Sequence, residues 1–185
     1  MDYGSASRVI QEEIAWALNT VRESEVEDLL SSLIGATRVF VIGAGRVGLA
    51  SRAFAKRLMH LGLSAFYVGE VTTPAIGPGD LLLVCSGSGE TRSICVVADL
   101  AVQHGADVAT ITREPAAHIS GLSKSVVTLL GSSEHDGRVQ HRSVQPMTTL
   151  FEQSLLLLLD AVVLRLMERL GETSSSMWQR HMNLE

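Results

Sequence analysis

Apolar positions over residues 1–35 recur at helical intervals. Ile10, Ile14, Leu18 and Val21 predict one helix. Ser24-Glu25-Val26-Glu27 has the form of a capping box and leads into a second helix with Leu29, Leu30 and Leu33, which Gly35 would stop. Each helix has one apolar stripe and an acidic face, so both should pack on something else. From Thr37 the pattern changes. Short β-branched and apolar runs at 38–42, 65–68, 80–85, 107–112 and 125–130 read as five strands, with helices over 49–61 and 91–104 ending at Gly62 and Gly105. The strand runs are nearly all apolar rather than alternating, as parallel strands covered on both faces must be. This succession predicts an α/β fold around an open, doubly wound parallel sheet. A polar segment from Gly131 to Gln145 follows, long enough to suggest function rather than mere connection. The last helix, about 150–170, is apolar nearly all round and should be buried on several sides, with an oligomer interface among them.

The composition fits this picture and narrows the function. Of 185 residues, 46% are apolar and 19% charged, which supports one domain with a sizeable core. The net charge of −5, with 13 Arg and 2 Lys as cations, argues against general nucleic-acid binding. No stretch reaches the ~20 apolar residues a membrane span needs, and the N-terminus lacks a signal-peptide pattern, so a cytoplasmic protein is expected. Cys85 and Cys95, in apolar surroundings, read as buried free thiols of a reducing compartment. The scattered His and Cys show no metal-ligand spacing, and neither a metal nor a cofactor is expected.

Two glycine-rich turns each follow a strand and open a helix. Gly43-Ala44-Gly45-Arg46-Val47-Gly48 is a literal GxGxxG, with Glu70 near the end of strand two where a ribose-binding acid would sit in a dinucleotide site. Ser86-Gly87-Ser88-Gly89-Glu90-Thr91 has the makings of a phosphomonoester cradle: glycines that let N–H groups converge, hydroxyl donors and a helix start. The bland alternative for that turn is a Ser/Gly loop that caps a helix, with Ser88 or Gly89 near the N-cap. In a sheet of order 2-1-3-4-5 these turns flank one crevice at the topological switch point, where such folds bind ligands.

Glu152 is the best candidate for proton chemistry. Its rival role is structural, because Thr149-Leu150-Phe151-Glu152 is itself a capping box. On spacing alone His60 reads as a cation at a helix C-terminus and His181 as a solvated residue of a polar tail; His135 and His141 in the long segment should be exposed.

The stretches VFVIGAGRVGLASRAFAKRLMHLGL, YVGEVTTPAIGPGDLLLVCSGSGET, TTLFEQ and RHMNLE together resemble the 6-phospho-3-hexuloisomerases of the sugar isomerase (SIS) domain superfamily. The resemblance implies a three-layer α/β sandwich, a flavodoxin-like SIS fold over 1–185: N-terminal helices to 35, a five-stranded sheet core over 36–131, an active-site loop over 132–148, and C-terminal helices and tail thereafter. It implies a tetramer, and conversion between D-arabino-hex-3-ulose 6-phosphate and D-fructose 6-phosphate without cofactor. By the family pattern Ser86, Ser88 and Thr91 hold the phosphate, with close backbone at Gly87 and Gly89, and Gly45, Arg46 and Val47 line the sugar. Glu152 matches the glutamate base, and His60 and His181 match positions that line the site, from a subunit the sequence leaves open. One departure stands out: the family commonly has Ser where this chain has Val47, a loss of one hydrogen bond worth about 0.5–1.5 kcal/mol. Arg92, after Thr91, adds a cation beside the phosphate site.

Overall fold

The computed structural model describes residues 1–131 and 143–184. His135, His141 and most of the polar segment therefore lie outside the described residues. Along the chain run α1 (Tyr3–Asn19), α2 (Glu23–Gly35), β1 (Val39–Gly43), α3 (Gly45–His60), β2 (Ala65–Tyr67), β3 (Leu81–Cys85), α4 (Arg92–Gln103), β4 (Asp107–Thr112), α5 (His118–Leu122), β5 (Ser125–Thr128), α6 (Thr149–Leu170) and α7 (Ser174–Trp178). The sheet is five-stranded, all parallel, in the order β2-β1-β3-β4-β5, as the pattern of apolar runs predicts.

Alternate strand positions feed two separate cores. Val41, Leu81, Leu83, Cys85, Ile111 and Val127 pack with Leu29, Leu30 and Leu33 of α2, Phe54 and Leu58 of α3, and Phe151, Leu155, Leu159 and Val162 of α6. Phe40, Ile42, Leu82, Val84 and Val108 pack with Ile94, Ala98 and Ala101 of α4 and Ile119 of α5. That division makes the three layers, and α1 adds a further helix against α6.

Four local expectations change. The helix expected from Leu49 begins at Gly45, because Gly45 and Gly48 serve the helix entry rather than a loop. The short α5 has no periodic apolar signature. The capping box at Ser24 is absent: α2 starts after Arg22, and Glu27 is drawn off by Arg165 at 2.6 Å and by Arg169. Glu25 is drawn off as well, accepting from the Thr128 backbone N–H at 2.9 Å and so tying α2 to the end of β5. Finally, Cys85 is buried, its thiol pushed up to about 12 by desolvation, but Cys95 is only half-buried. Among the described residues no helix is long and apolar enough to cross a membrane, and no group of three or more His, Cys, Asp and Glu could hold a metal ion.

Candidate active site

Gly43, the last residue of β1, lies in register with Cys85, the last residue of β3. The turns that follow therefore leave the sheet side by side. In the first turn Gly45 takes φ +55°, a conformation that favours glycine. Gly48 allows close packing: a Cβ there would lie 2.7 Å from the Gly43 carbonyl oxygen and 2.9 Å from the Tyr67 hydroxyl, which donates to that carbonyl at 2.7 Å. α3 is thus drawn tight onto β1. Its first turn presents Arg46 outward, while Val47 is half-buried against the core. Glu70, the acid a dinucleotide site would use, is instead engaged by Arg52 at 2.8 Å, whose guanidinium also lies 3.9 Å from the Tyr67 ring centroid.

The second turn is shaped by its own hydroxyls. Ser86 is buried, and its Oγ accepts from the Gly89 N–H at 3.2 Å; the exposed Ser88 Oγ accepts from the Glu90 N–H at 3.3 Å. Gly89 has φ +63°, and a Cβ there would come 2.5 Å from the Ala117 Cβ. Glu90 reaches away to accept from the His118 N–H at 2.9 Å, pinning α5 to the turn. Thr91 is the N-cap of α4, in place of the Ser88 or Gly89 of the bland alternative, but its side chain makes no capping bond. A half-buried hydroxyl at a helix start, beside N–H groups with no intrahelical partner, is suited to an anion.

Glu152 does not form the capping box. The N-cap of α6 is Thr148, and Thr149 Oγ1 donates to the Pro146 carbonyl at 2.7 Å. Glu152 Oε1 instead accepts from Thr148 Oγ1 at 2.8 Å, and Oε2 lies 2.6 Å from Arg46 Nε. The Arg46 approach matches charge but not hydrogen-bond alignment, so Oε2 has no directed donor among the described residues. The pair opens onto a cavity of about 320 Å³ lined also by Leu49, Ala53, Gln153 and Leu156. The ring of the preceding residue, Phe151, packs against the second turn: a Cβ at Gly87 would lie 3.2 Å from it.

His60 and His181 come together, but elsewhere. Their rings stack at 5.3 Å and 15°, and His181 stacks on Trp178 at 4.7 Å. His60 is 3% exposed, its Nε2 has no partner, and burial, with Lys56, Arg57 and His181 nearby, lowers its pKa. A buried ring held neutral is not the dipole-complementing cation that its place in the sequence suggests. The stack lines a cavity of about 510 Å³ with Arg57, Asp160 and Met167. From Arg46 to His60 is about 21 Å along α3 at 1.5 Å per residue, so one chain keeps the histidines away from its own Glu152. Arg180 holds the tail in place, donating to the His60 carbonyl oxygen at 2.9 Å and gripping both Glu172 oxygens at 2.9 Å.

Sequence reasoning missed Thr148, Arg113 and Arg180. Arg113 directly follows β4, at the ligand-binding end of the sheet, and that position is the signal that could have drawn attention to it.

The family model for the SIS domain matches residues 32–163. The chain is 39% identical to the 3-hexulose-6-phosphate isomerase of Bacillus subtilis (strain 168) over 165 residues, 89% of each chain. It is also 39% identical to that of Mycobacterium gastri over 177 residues, 96% of this chain and 88% of the relative. A crystal structure from Methanococcus jannaschii, inferred to have the molecular function of 3-hexulose-6-phosphate isomerase, superposes with a TM-score of 0.84 at 31% identity, covering 98% of this chain and 99% of that one. The sheet order, the paired glycine-rich turns and these similarities agree: the chain belongs to the SIS domain family.

Proposed function

We propose that this chain is a 3-hexulose-6-phosphate isomerase (6-phospho-3-hexuloisomerase), interconverting D-arabino-hex-3-ulose 6-phosphate and D-fructose 6-phosphate. The observation that carries the reading is Glu152: half-buried, with one oxygen fixed by Thr148 and the other lacking a directed donor, next in sequence to Phe151, whose ring lies against Gly87 of the turn that suits a phosphate.

In the forward direction Glu152 takes the C2 proton of the 3-ulose, giving a cis-enediolate, and returns it at C3; the O2 proton passes to O3. One base on one face suffices. The cradle of Ser86, Gly87, Ser88, Gly89 and Thr91 holds the phosphate, so that remote binding energy keeps C2 and C3 over the carboxylate. Arg46 and the N–H groups of the Gly45–Val47 turn face the developing oxyanion. The 3-ulose cannot close a five-membered ring, because its O6 carries the phosphate, so ring opening is needed only for the fructose form.

His60 and His181 enter this reading from a second copy of the chain. The neutral His60 ring and the neighbouring cavity suit a group that moves a proton during ring opening, and exposed Leu156, Leu157 and Leu164 on α6 suit contact between copies. The finer part of the reading, a homotetramer of single SIS domains, rests on the family pattern.

A coupled assay with formaldehyde, ribulose 5-phosphate and the partner synthase tests the reaction. Fructose 6-phosphate should form only when this protein is added. Its failure to form, with tight sugar phosphate binding retained, would favour a non-catalytic phosphosugar-binding SIS protein.

A further inference from the structure

Apart from the exposed Arg92 at the start of α4, the cradle described above offers a phosphate only neutral donors: backbone N–H groups, hydroxyls and a helix start. A phosphate monoester near neutral pH carries close to two negative charges. We infer that Arg113 supplies a cation to this site and binds the substrate's phosphate at the Gly87 side of the cradle. The inference rests on the proposed reading of the cradle.

The fold holds Arg113 against that turn. Its backbone N–H donates to the Gly87 carbonyl oxygen at 3.1 Å, carrying the β3–β4 pairing past the end of both strands. Its side chain runs through a slot made by two glycines and Phe151. A Cβ at Gly87 would lie 3.3 Å from Arg113 Nε, and a Cβ at Gly131 would lie 3.3 Å from Arg113 Cδ. Any larger residue at either position would crowd the arginine stem. Arg113 Nε is buried and has no hydrogen-bond partner among the described residues. By contrast Arg38, Arg46, Arg52, Arg165 and Arg180 each meet a carboxylate. A guanidinium N–H left without an acceptor is costly, and here the orphan lies against a loop built for anions. The residue as a whole is only half-buried, although its Nε is buried. A planar fork fixed in this way matches phosphate geometry with little ordering left to do on binding.

The test uses the full chain, with inorganic phosphate as the probe, measured as a competitive inhibitor of sugar phosphate turnover. Arg113→Met should raise the phosphate Ki and the substrate KM about tenfold. Arg113→Lys, which keeps the charge, should recover part of the loss. A side chain that only fills space would change kcat or the thermal midpoint and leave the phosphate Ki alone. An unchanged Ki in folded Arg113→Met overturns the inference. If Ser88→Ala raises the Ki in the same series, the cradle reading stands without Arg113; if it does not, that reading falls too. Should Arg113→Met fail to fold, phenylglyoxal labelling of the wild type decides. Phosphate should protect Arg113 from modification, as read by mass spectrometry, and equal labelling with and without phosphate overturns the inference.

Discussion

Arg46 Nε lies 2.6 Å from Glu152 Oε2, joining the first turn of α3 to the first turn of α6. The two side chains differ in exposure, 64% for Arg46 against 13% for Glu152. The carboxylate is held by its helix, while the guanidinium is free to turn. On the proposed function, substrate would compete for the cation and leave the carboxylate facing carbon. Arg46→Ala should lower kcat/KM by about 100-fold, the scale of losing an oxyanion donor, with Arg46→Lys intermediate. Steady-state kinetics on fructose 6-phosphate check this, and a loss under threefold would remove Arg46 from the chemistry.

If the histidine stack of one copy completes the crevice of another, two variants impaired on fructose 6-phosphate should rescue each other on that substrate. Glu152→Gln and His181→Ala, mixed, unfolded together and refolded, should regain about a quarter of wild-type activity, because one site in four pairs an intact Glu152 with an intact His181. Sites made within a single chain would give no recovery.

Much of the fold was legible because burial on both sheet faces leaves continuous apolar runs, such as Leu81–Cys85, that nothing else explains. Glycine misled at the start of α3: Gly45 and Gly48 look like loop residues, but Gly48 is there so that the helix can touch Gly43. The capping box at Ser24 misled, and the rival one at Thr149 does not form, for one reason. Glu27 and Glu152 both fit local boxes, but long-range arginines, Arg165 with Arg169 and Arg46, approach them instead. A local motif cannot reveal a competitor more than a hundred residues away in sequence. The cradle and Glu152 were legible as motifs, whereas Arg113 belongs to none. The distance between His60 and Glu152 depends on the length of α3, and becomes visible only once α3 and α6 are seen to run side by side.

The buried His60 ring makes stability sensitive to acid. Its folded-state pKa is lowered from 6.5, chiefly by burial, so below about that pH the unfolded chain binds more protons than the folded one. The neutral ring's contribution is complete above pH 6.5 and is lost as the pH falls through the lower folded-state value. The urea midpoint of the wild type should therefore drop between neutral pH and pH 5 more steeply than that of His60→Phe, which keeps the stack without the titration. Parallel acid limbs would show that His60 is not responsible.

Gly89 combines a positive φ of 63° with an Ala117 Cβ 2.5 Å from where its own would be. Gly89→Ala should cost about 1–3 kcal/mol of stability and raise KM by opening the cradle. Urea denaturation and substrate titration check both effects; a variant of wild-type stability and KM would mean that the turn tolerates the extra atom.

Glu152→Gln tests the account most directly. The amide keeps the size of the side chain and its contact with Thr148 but cannot take a proton from carbon. Turnover should fall at least about 1,000-fold, while fructose 6-phosphate still binds with an affinity near that of the wild type, read by calorimetry. Turnover within tenfold of wild type would contradict the assignment of Glu152 as the group that carries hydrogen between C2 and C3.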